Sequence, residues 1–130
     1  YCATCVQLDV QGSEVRLERV TAALDCGLTV NPDGARNQVE GSIVMGMGTA
    51  LYEAIDFNGG RVLNAGFTRC RVPRSSDAPA IRVELVGDDD TPSTGAGEPG
   101  IVPIAAAIAN GVFDRSGVRV RELPLQRALR

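Results

Sequence analysis

One carboxylate set among small residues is the feature of this sequence best suited to chemistry. The segment Ser93–Gly100 reads S-T-G-A-G-E-P-G, and Glu98 is its only charged residue. Glycines let a backbone take positive φ and let another group come close. An apolar helical run, 101–113, follows directly, and Pro103 suits the first turn of that helix. The residues therefore predict a carboxylate at a helix start. It is either a functional group or a turn residue stabilised by the helix dipole.

The same segment matches the dinucleotide-binding spacing, since residues 95–100 read G-A-G-E-P-G. That fingerprint requires a strand that ends at the first glycine. Here the alternating apolar run 81–86 ends well before it, Asp88–Asp90 intervene, and Pro99 falls inside the motif. We therefore interpret the segment as something other than a nucleotide site, and the three aspartates as a solvated loop.

Composition limits the classes of function. The 130 residues suit one domain, predicted to cover 1–130, and 44% hydrophobic with 22% charged residues is an ordinary globular balance. A net charge of −3 gives no electrostatic case for nucleic acid. No apolar run is long enough to span a bilayer, so no membrane partner is expected. The chain has no histidine, which excludes histidine triads and histidine metal sites.

The cysteines do not form a recognisable metal or redox motif. Cys2 and Cys5 have C-x-x-C spacing, but they lie in a predicted strand, where positions three apart face opposite sides. No second pair completes a zinc site, and no metal ligand is assigned. We interpret these two, Cys26 and Cys70 as free thiols, with a disulfide as the alternative.

The first half of the chain predicts a hairpin followed by a long helix. Residues 2–10 and 15–26 are largely alternating runs around a turn at Gly12. Asn31 and Pro32 then give a capped helix start. Apolar residues at helical spacing extend that helix to about Ala54. Its three glycines, at 41, 46 and 48, indicate either close packing or a bound group lying against the helix.

The second half predicts a strand, a helix and a last strand. The strand covers 81–86, the helix follows the glycine loop and ends before Gly117, and the last strand covers 118–123. Together the elements predict an α+β fold, with a mainly antiparallel sheet and two helices packed on one face.

Five motifs in order resemble one enzyme family. They are Asp25-Cys26-Gly27, Asn31-Pro32, Gln38-Val39-Glu40-Gly41, Gly95-Ala96-Gly97-Glu98, and Ala109-Asn110-Gly111-Val112-Phe113 followed by Leu123-Pro124-Leu125. With these, the chain resembles the C-terminal part of the molybdopterin-binding large subunit of the xanthine dehydrogenase/aldehyde oxidase family, closest to the isoquinoline and aldehyde oxidoreductase type.

The resemblance implies roles for particular residues. Glu98 matches the catalytic base beside molybdenum, which in that family serves the hydroxylation of aldehydes or N-heterocycles. Gln38 matches a glutamine that hydrogen-bonds the molybdopterin cofactor, and its amide can both donate and accept. The backbone of Gly95, Ala96 and Gly97 would approach the molybdenum ligands. Asp25 and Cys70 are interpreted as structural.

The family's other cofactor-binding segments and its iron–sulfur and electron-transfer parts lie outside these 130 residues. The isolated chain is therefore expected to hold no cofactor and to catalyse nothing. Two interpretations remain: a fragment that works with the rest of a molybdenum hydroxylase, or an inert stand-alone module that binds a small ligand or itself. A wide apolar surface on the 32–54 helix predicts a homo-oligomer in isolation. The compartment, bacterial cytoplasm or periplasm, stays open.

Overall fold

A three-stranded sheet and two long helices form most of the regular structure. The computed structural model describes residues 1–130. In chain order its elements are β1 (Cys2–Gln11), β2 (Glu14–Leu24), α1 (Pro32–Leu51), β3 (Phe57–Asn58), β4 (Arg61–Val62), β5 (Ala80–Leu85), α2 (Ile101–Ser116) and α3 (Leu125–Ala128).

The main sheet has the order β1-β2-β5, so β2 lies at its centre. β1 and β2 form the predicted antiparallel hairpin, and Gly12 at its turn has φ 61°. β5 pairs with β2 in parallel, with Val20 opposite Ile81. This parallel ladder was not predicted. It arises because the connection from β2 to β5 passes through α1, a crossover that returns the chain to the end where β2 began. β3 and β4 form a small antiparallel ribbon around the turn at Gly59 and Gly60.

Both long helices pack on one face of this sheet, which confirms the predicted α+β class. The core joins the inward residues of β2 to one side of each helix. It includes Val20, Leu24, Val39, Ile43, Met47, Ile104, Ile108 and Val112, all 0% or 1% exposed. The alternation of β2 and the helical spacing of α1 and α2 therefore generate one apolar layer.

The helix glycines mark close packing between elements. A Cβ built on Gly46 would lie 2.9 Å from Ile101 Cγ1 and would also overlap Ile104, so this glycine lets α1 approach α2. A Cβ on Gly48 would lie 2.7 Å from Pro73 Cδ, in the segment that follows β4. Gly41 has open space beside it. Of the two predicted reasons for these glycines, close packing accounts for two of the three.

The predicted helix boundaries agree with the structure in most places. The side-chain oxygen of Asn31 accepts a hydrogen bond from Gly34 N at 3.0 Å and caps α1. Gly117 ends α2 with φ 73°. α1 ends at Leu51, three residues before the predicted Ala54, because the N–H groups of Tyr52 and Glu53 both turn back to Gly48 O.

The prediction of a last strand over 118–123 is wrong. This segment is irregular and leads into α3. The Arg119 guanidinium stacks 3.6 Å from the ring centre of Phe113 and donates to Asn110 Oδ1 at 2.9 Å. Val120 is buried in the core. These contacts hold the segment against α2 rather than beside a sheet edge.

The four cysteines are free thiols, as predicted. None of the helices is both long and apolar enough to cross a membrane. The wide apolar surface predicted on α1 is largely internal, although Met45 is 62% exposed and Ile55, just beyond the helix, is 61% exposed.

Candidate functional site

A cavity of about 370 Å³ lies at the N-terminal end of α1. Its walls come from the turn after β2, the first two turns of α1 and the glycine loop before α2. It is lined by Cys26, Leu28, Thr29, Val30, Asn31, Gly34, Ala35, Gln38, Ser93, Ala96 and Gly97. One wall is therefore apolar, and a few polar groups face it from the helix.

Gln38 lies in the second turn of α1 and contributes the largest polar side chain of this wall. The residue is exposed, and its amide makes no hydrogen bond within the chain. An amide in this position has two donors and an acceptor free for another molecule.

The glycine loop presents unpaired backbone to the same region. The N–H groups of residues 95–98 donate no hydrogen bond within the chain. Gly95 has φ 86°, and a Cβ built on Gly95 or Gly97 would meet nothing within 4 Å. Ala96 between them is half-buried and packs against the core. The loop is therefore anchored by one side chain and otherwise leaves its donors accessible.

Glu98 lies at the end of this loop, just before α2. Its residue is exposed, and its carboxylate makes no hydrogen bond or salt bridge within the chain. Only its carbonyl is engaged, accepting from Ile101 N at 3.1 Å. The structure thus brings Gln38, Ala96 and Gly97 to one cavity. Glu98 and Gly95 belong to the same loop but do not line the cavity.

A buried glycine fixes the end of the loop against α1. A Cβ on Gly100 would lie 3.1 Å from Val39 O and would overlap Ser42 Oγ. Val39 directly follows Gln38 in the chain, so this close contact ties the start of α2 to the helix turn that carries the glutamine. A larger residue at position 100 would push the Glu98 loop away from Gln38.

The sequence analysis missed the contribution of the turn after β2. Cys26 is 4% exposed, lines the cavity, and has its Sγ 3.3 Å from Thr29 Oγ1. Asp25, interpreted as structural, accepts a hydrogen bond from Gly27 N at 3.2 Å. The signal for this turn was present in the Asp25-Cys26-Gly27 motif, but its spacing gives no indication that it meets the glycine loop.

A second, larger cavity of about 510 Å³ lies at the C-terminal end of α1. Arg71 lies 4.0 Å from the centre of the Tyr52 ring and makes a 3.3 Å salt bridge to Asp77. Gln126 donates to Val15 O at 3.3 Å. Burial raises the pKa of Tyr52, with a further rise from the charge of Asp77. The Tyr52 hydroxyl is buried without a partner, whereas Arg71, Asp77 and Gln126 each bind another group of the chain.

Comparison with known proteins gives the family. A family model described as a molybdopterin cofactor-binding domain matches residues 1–79. The chain belongs to the molybdopterin-binding subunits of the xanthine dehydrogenase/aldehyde oxidase family. It is 40% identical over 119 residues to the aldehyde oxidoreductase molybdenum-binding subunit PaoC of Escherichia coli K12, covering 86% of this chain and 16% of that protein. It is 36% identical over 120 residues to a nicotinate dehydrogenase subunit of Pseudomonas putida, covering 92% and 10%.

The fold of this family member is also found in solved structures. Superposition on a Cu,Mo-CO dehydrogenase in its carbon monoxide-reduced state gives a TM-score of 0.79 at 24% identity, covering 97% of this chain and 18% of the other. The resemblance drawn from the sequence motifs is therefore confirmed. The chain spans only about a tenth to a sixth of the length of the two curated relatives described above.

The residues at and beside the smaller cavity fit a heterocyclic cofactor that is held by hydrogen bonds. The Gln38 amide and the N–H groups of Ala96 and Gly97 are unpaired at the cavity, and the N–H groups of Gly95 and Glu98 are unpaired beside it. The chain has no cluster of three His, Cys, Asp or Glu side chains placed to hold a metal ion. These features suit a group that brings its own metal ligands.

Proposed function

We propose that this chain works as part of a molybdenum hydroxylase that oxidises aldehydes or N-heterocycles. The supporting observation is the meeting of Gln38, Ala96 and Gly97 at one cavity beside the unpaired Glu98 loop. The substrate classes are those of two relatives, an aldehyde oxidoreductase subunit and a nicotinate dehydrogenase subunit.

Each residue of the site has a distinct task in this proposal. The Gln38 amide and the N–H groups of Gly95, Ala96 and Gly97 bind and orient the molybdopterin cofactor. The bound cofactor would supply the two-electron redox chemistry and the oxygen that is transferred. The Glu98 carboxylate takes up the proton that is released as the oxygen is transferred to the substrate. A carboxylate with no competing contact within the chain suits this general-base role.

The rest of the cofactor pocket belongs to the remainder of the molybdenum-binding subunit, and electrons leave through iron–sulfur or other electron-transfer subunits. The smaller cavity agrees with this division because it is open and is bounded by only three segments of the chain. The isolated 130-residue chain is accordingly inactive and holds no molybdopterin.

Metal and pterin analysis of the protein purified from its native host tests this proposal. We expect molybdenum and pterin in equal amounts. Both should co-purify with an assembly that contains these 130 residues together with the rest of the subunit or its partner chains. Stoichiometric molybdenum on the 130-residue chain alone would contradict the division of the pocket. Absence of both molybdenum and pterin from every native assembly would contradict the proposed hydroxylase function.

A second candidate is an inert stand-alone module that binds a small ligand or self-associates. The exposed Met45 and Ile55 side chains favour self-association, since together they leave apolar surface uncovered near α1. Pro73 packs against Gly48 and covers part of the helix, which favours a monomer. Sedimentation at micromolar concentration tests self-association: a dimer agrees with both candidates, and a monomer removes this argument for the module.

A further inference from the structure

The turn that joins β2 to α1 is hydrogen-bonded to the segment that begins the glycine loop. Leu28 N donates to Thr91 O at 2.8 Å, and Thr94 N donates to Cys26 O at 2.9 Å. These two bonds form a short ladder between residues 26–28 and 91–94. The ladder ends immediately before the glycine loop, whose own N–H groups are unpaired.

Gly27 allows this ladder to form. Its φ is 66°, and a Cβ built on it would lie 2.7 Å from Thr91 O and would overlap Pro92 O. Any other residue here would be strained in its backbone and would also push the 91–92 segment outward.

Asp88 holds the backbone of residues 90 and 91 next to the ladder. Its Oδ1 accepts hydrogen bonds from Thr91 N at 2.7 Å and from Asp90 N at 3.1 Å, which folds residues 88–91 into a compact turn. Hydrogen bonds from Thr91 hold the pKa of Asp88 below its ordinary value. Asp89, its neighbour, makes no side-chain hydrogen bond. The three aspartates are exposed in a loop, as predicted, and Asp88 in addition folds its own turn.

We propose that Gly27 and Asp88 are positioning residues that set the location of the Glu98 loop relative to Gln38. The inference rests on the proposed function, because it assigns importance to where Glu98 lies. Asp88 acts on the peptide of Thr91, whose carbonyl is the acceptor for Leu28 N. Gly27 provides the space in which that carbonyl sits.

The geometry explains how a change at residue 91 reaches Glu98. The loop is fixed at its start by the Thr94 hydrogen bond and at its end by the contact of buried Gly100 with α1. Only residues 95–99 lie between these two anchors. Loss of the first anchor leaves the span held only by Ala96 and by the Gly100 contact, so the backbone that carries Glu98 is held less firmly.

Amide hydrogen exchange on the 130-residue chain, read by NMR, tests the anchor itself. Asp88→Ala is expected to speed exchange of the Leu28 and Thr94 amides by at least about fivefold, the factor that one ordinary hydrogen bond contributes to local opening. Asp89→Ala makes the same change of charge and should leave both rates within about twofold of wild type. Asp88→Asn keeps an acceptor oxygen and should restore slow exchange. Equal exchange rates in Asp88→Ala and wild type would overturn the proposal.

Kinetics of the assembled enzyme that contains this chain test the consequence for Glu98. Asp88→Ala should lower kcat per bound molybdenum about tenfold with unchanged KM, and Asp88→Asn should recover it. Gly27→Ala should have the larger effect of the two, and Asp88→Ala remains informative if that variant does not fold. Faster exchange with unchanged kcat would overturn the positioning role. A Glu98→Gln variant with normal turnover would instead contradict the proposed function, so the two failures are distinguishable.

Discussion

The two ends of α1 carry cavities of opposite character. At the C-terminal end, the larger cavity of about 510 Å³ is bordered by the Arg71–Asp77 salt bridge at 3.3 Å and by exposed polar side chains, among them Glu14 and Arg16, that bind nothing within the chain. At the N-terminal end, the smaller cavity of about 370 Å³ is bordered by Gln38 and the glycine loop, whose hydrogen-bonding groups have no partner in the chain.

The proposed site lies at the smaller of the two cavities, and it is favoured by the unpaired backbone donors there rather than by volume. Buried and half-buried polar groups are normally paired, so pairing indicates a wall that is complete in itself. Unpaired donors grouped on a glycine backbone indicate a wall that is completed by another molecule. At the larger cavity the Tyr52 hydroxyl is buried without a partner, and the unpaired side chains of Glu14, Arg16 and Ser76 are exposed to solvent.

Removal of the Glu98 base is the change with the largest expected effect on this comparison. In the assembled enzyme, Glu98→Gln keeps the shape of the side chain but cannot accept the proton. Turnover should fall by about 10⁴-fold or more, beyond the usual range for one general base if activation at the metal also depends on it. Steady-state kinetics check this, with molybdenum content unchanged. Glu122→Gln, at an exposed carboxylate elsewhere, is the matched control, and near-wild-type turnover in Glu98→Gln would reduce Glu98 to a helix-start residue.

Gln38→Ala tests the cofactor contact at the same end of α1. Removing an amide that hydrogen-bonds the cofactor should reduce molybdopterin occupancy of the assembled enzyme about fivefold, with little effect on stability because Gln38 is exposed. Asn37→Ala, the adjacent exposed amide, should leave occupancy unchanged. Pterin quantification of the purified variants provides the measurement, and equal occupancy in both would remove Gln38 from the site.

Much of the fold follows from local patterns in the sequence. The alternation of β1 and β2, the Asn31 cap and the Gly117 end of α2 are all local signals, and the structure confirms each. The parallel pairing of β5 and the absence of a strand over 118–123 depend on contacts between distant segments. The spacing of residues in the sequence does not indicate those contacts.

The candidate site was only partly visible in the sequence for the same reason. The family motifs predict Gln38 and Glu98 as site residues, but only the folded chain shows that Gln38, Ala96 and Gly97 share a cavity while Glu98 lies outside its lining. The role of Asp88 was missed because an aspartate that folds its own turn looks the same in sequence as a solvated neighbour.

Arg71→Ala should affect stability and leave function unchanged. The substitution removes the contact over the Tyr52 ring and the salt bridge to Asp77, both partly exposed, so the free energy of unfolding should fall by no more than about 1 kcal/mol. Urea denaturation of the chain measures this loss. Turnover of the assembled enzyme with the same substitution should equal wild type. A large loss of activity would assign a functional role to the larger cavity and break the comparison.

The smallest effect is expected at the Asp56–Arg127 pair, near the same end of α1. Arg127 donates at 2.7 Å and 3.0 Å, and it holds the pKa of Asp56 below its ordinary value of 3.8. The stabilisation is therefore complete above that value and is lost as pH falls through the lower folded pKa. Asp56→Asn should melt slightly below wild type at neutral pH, and the two should converge once the pH falls below the folded pKa of Asp56. A difference that persists unchanged at low pH would contradict the ionic origin.

Amide hydrogen exchange of the assembled enzyme with and without molybdopterin tests the central claim most directly. If the glycine loop binds the cofactor, the amides of residues 95–98 should become protected when the cofactor is bound. The amides around Tyr52 and Arg71 should exchange at the same rate in both states. Unchanged exchange at residues 95–98, with new protection around Tyr52 and Arg71, would place the cofactor at the wrong end of α1 and contradict the account.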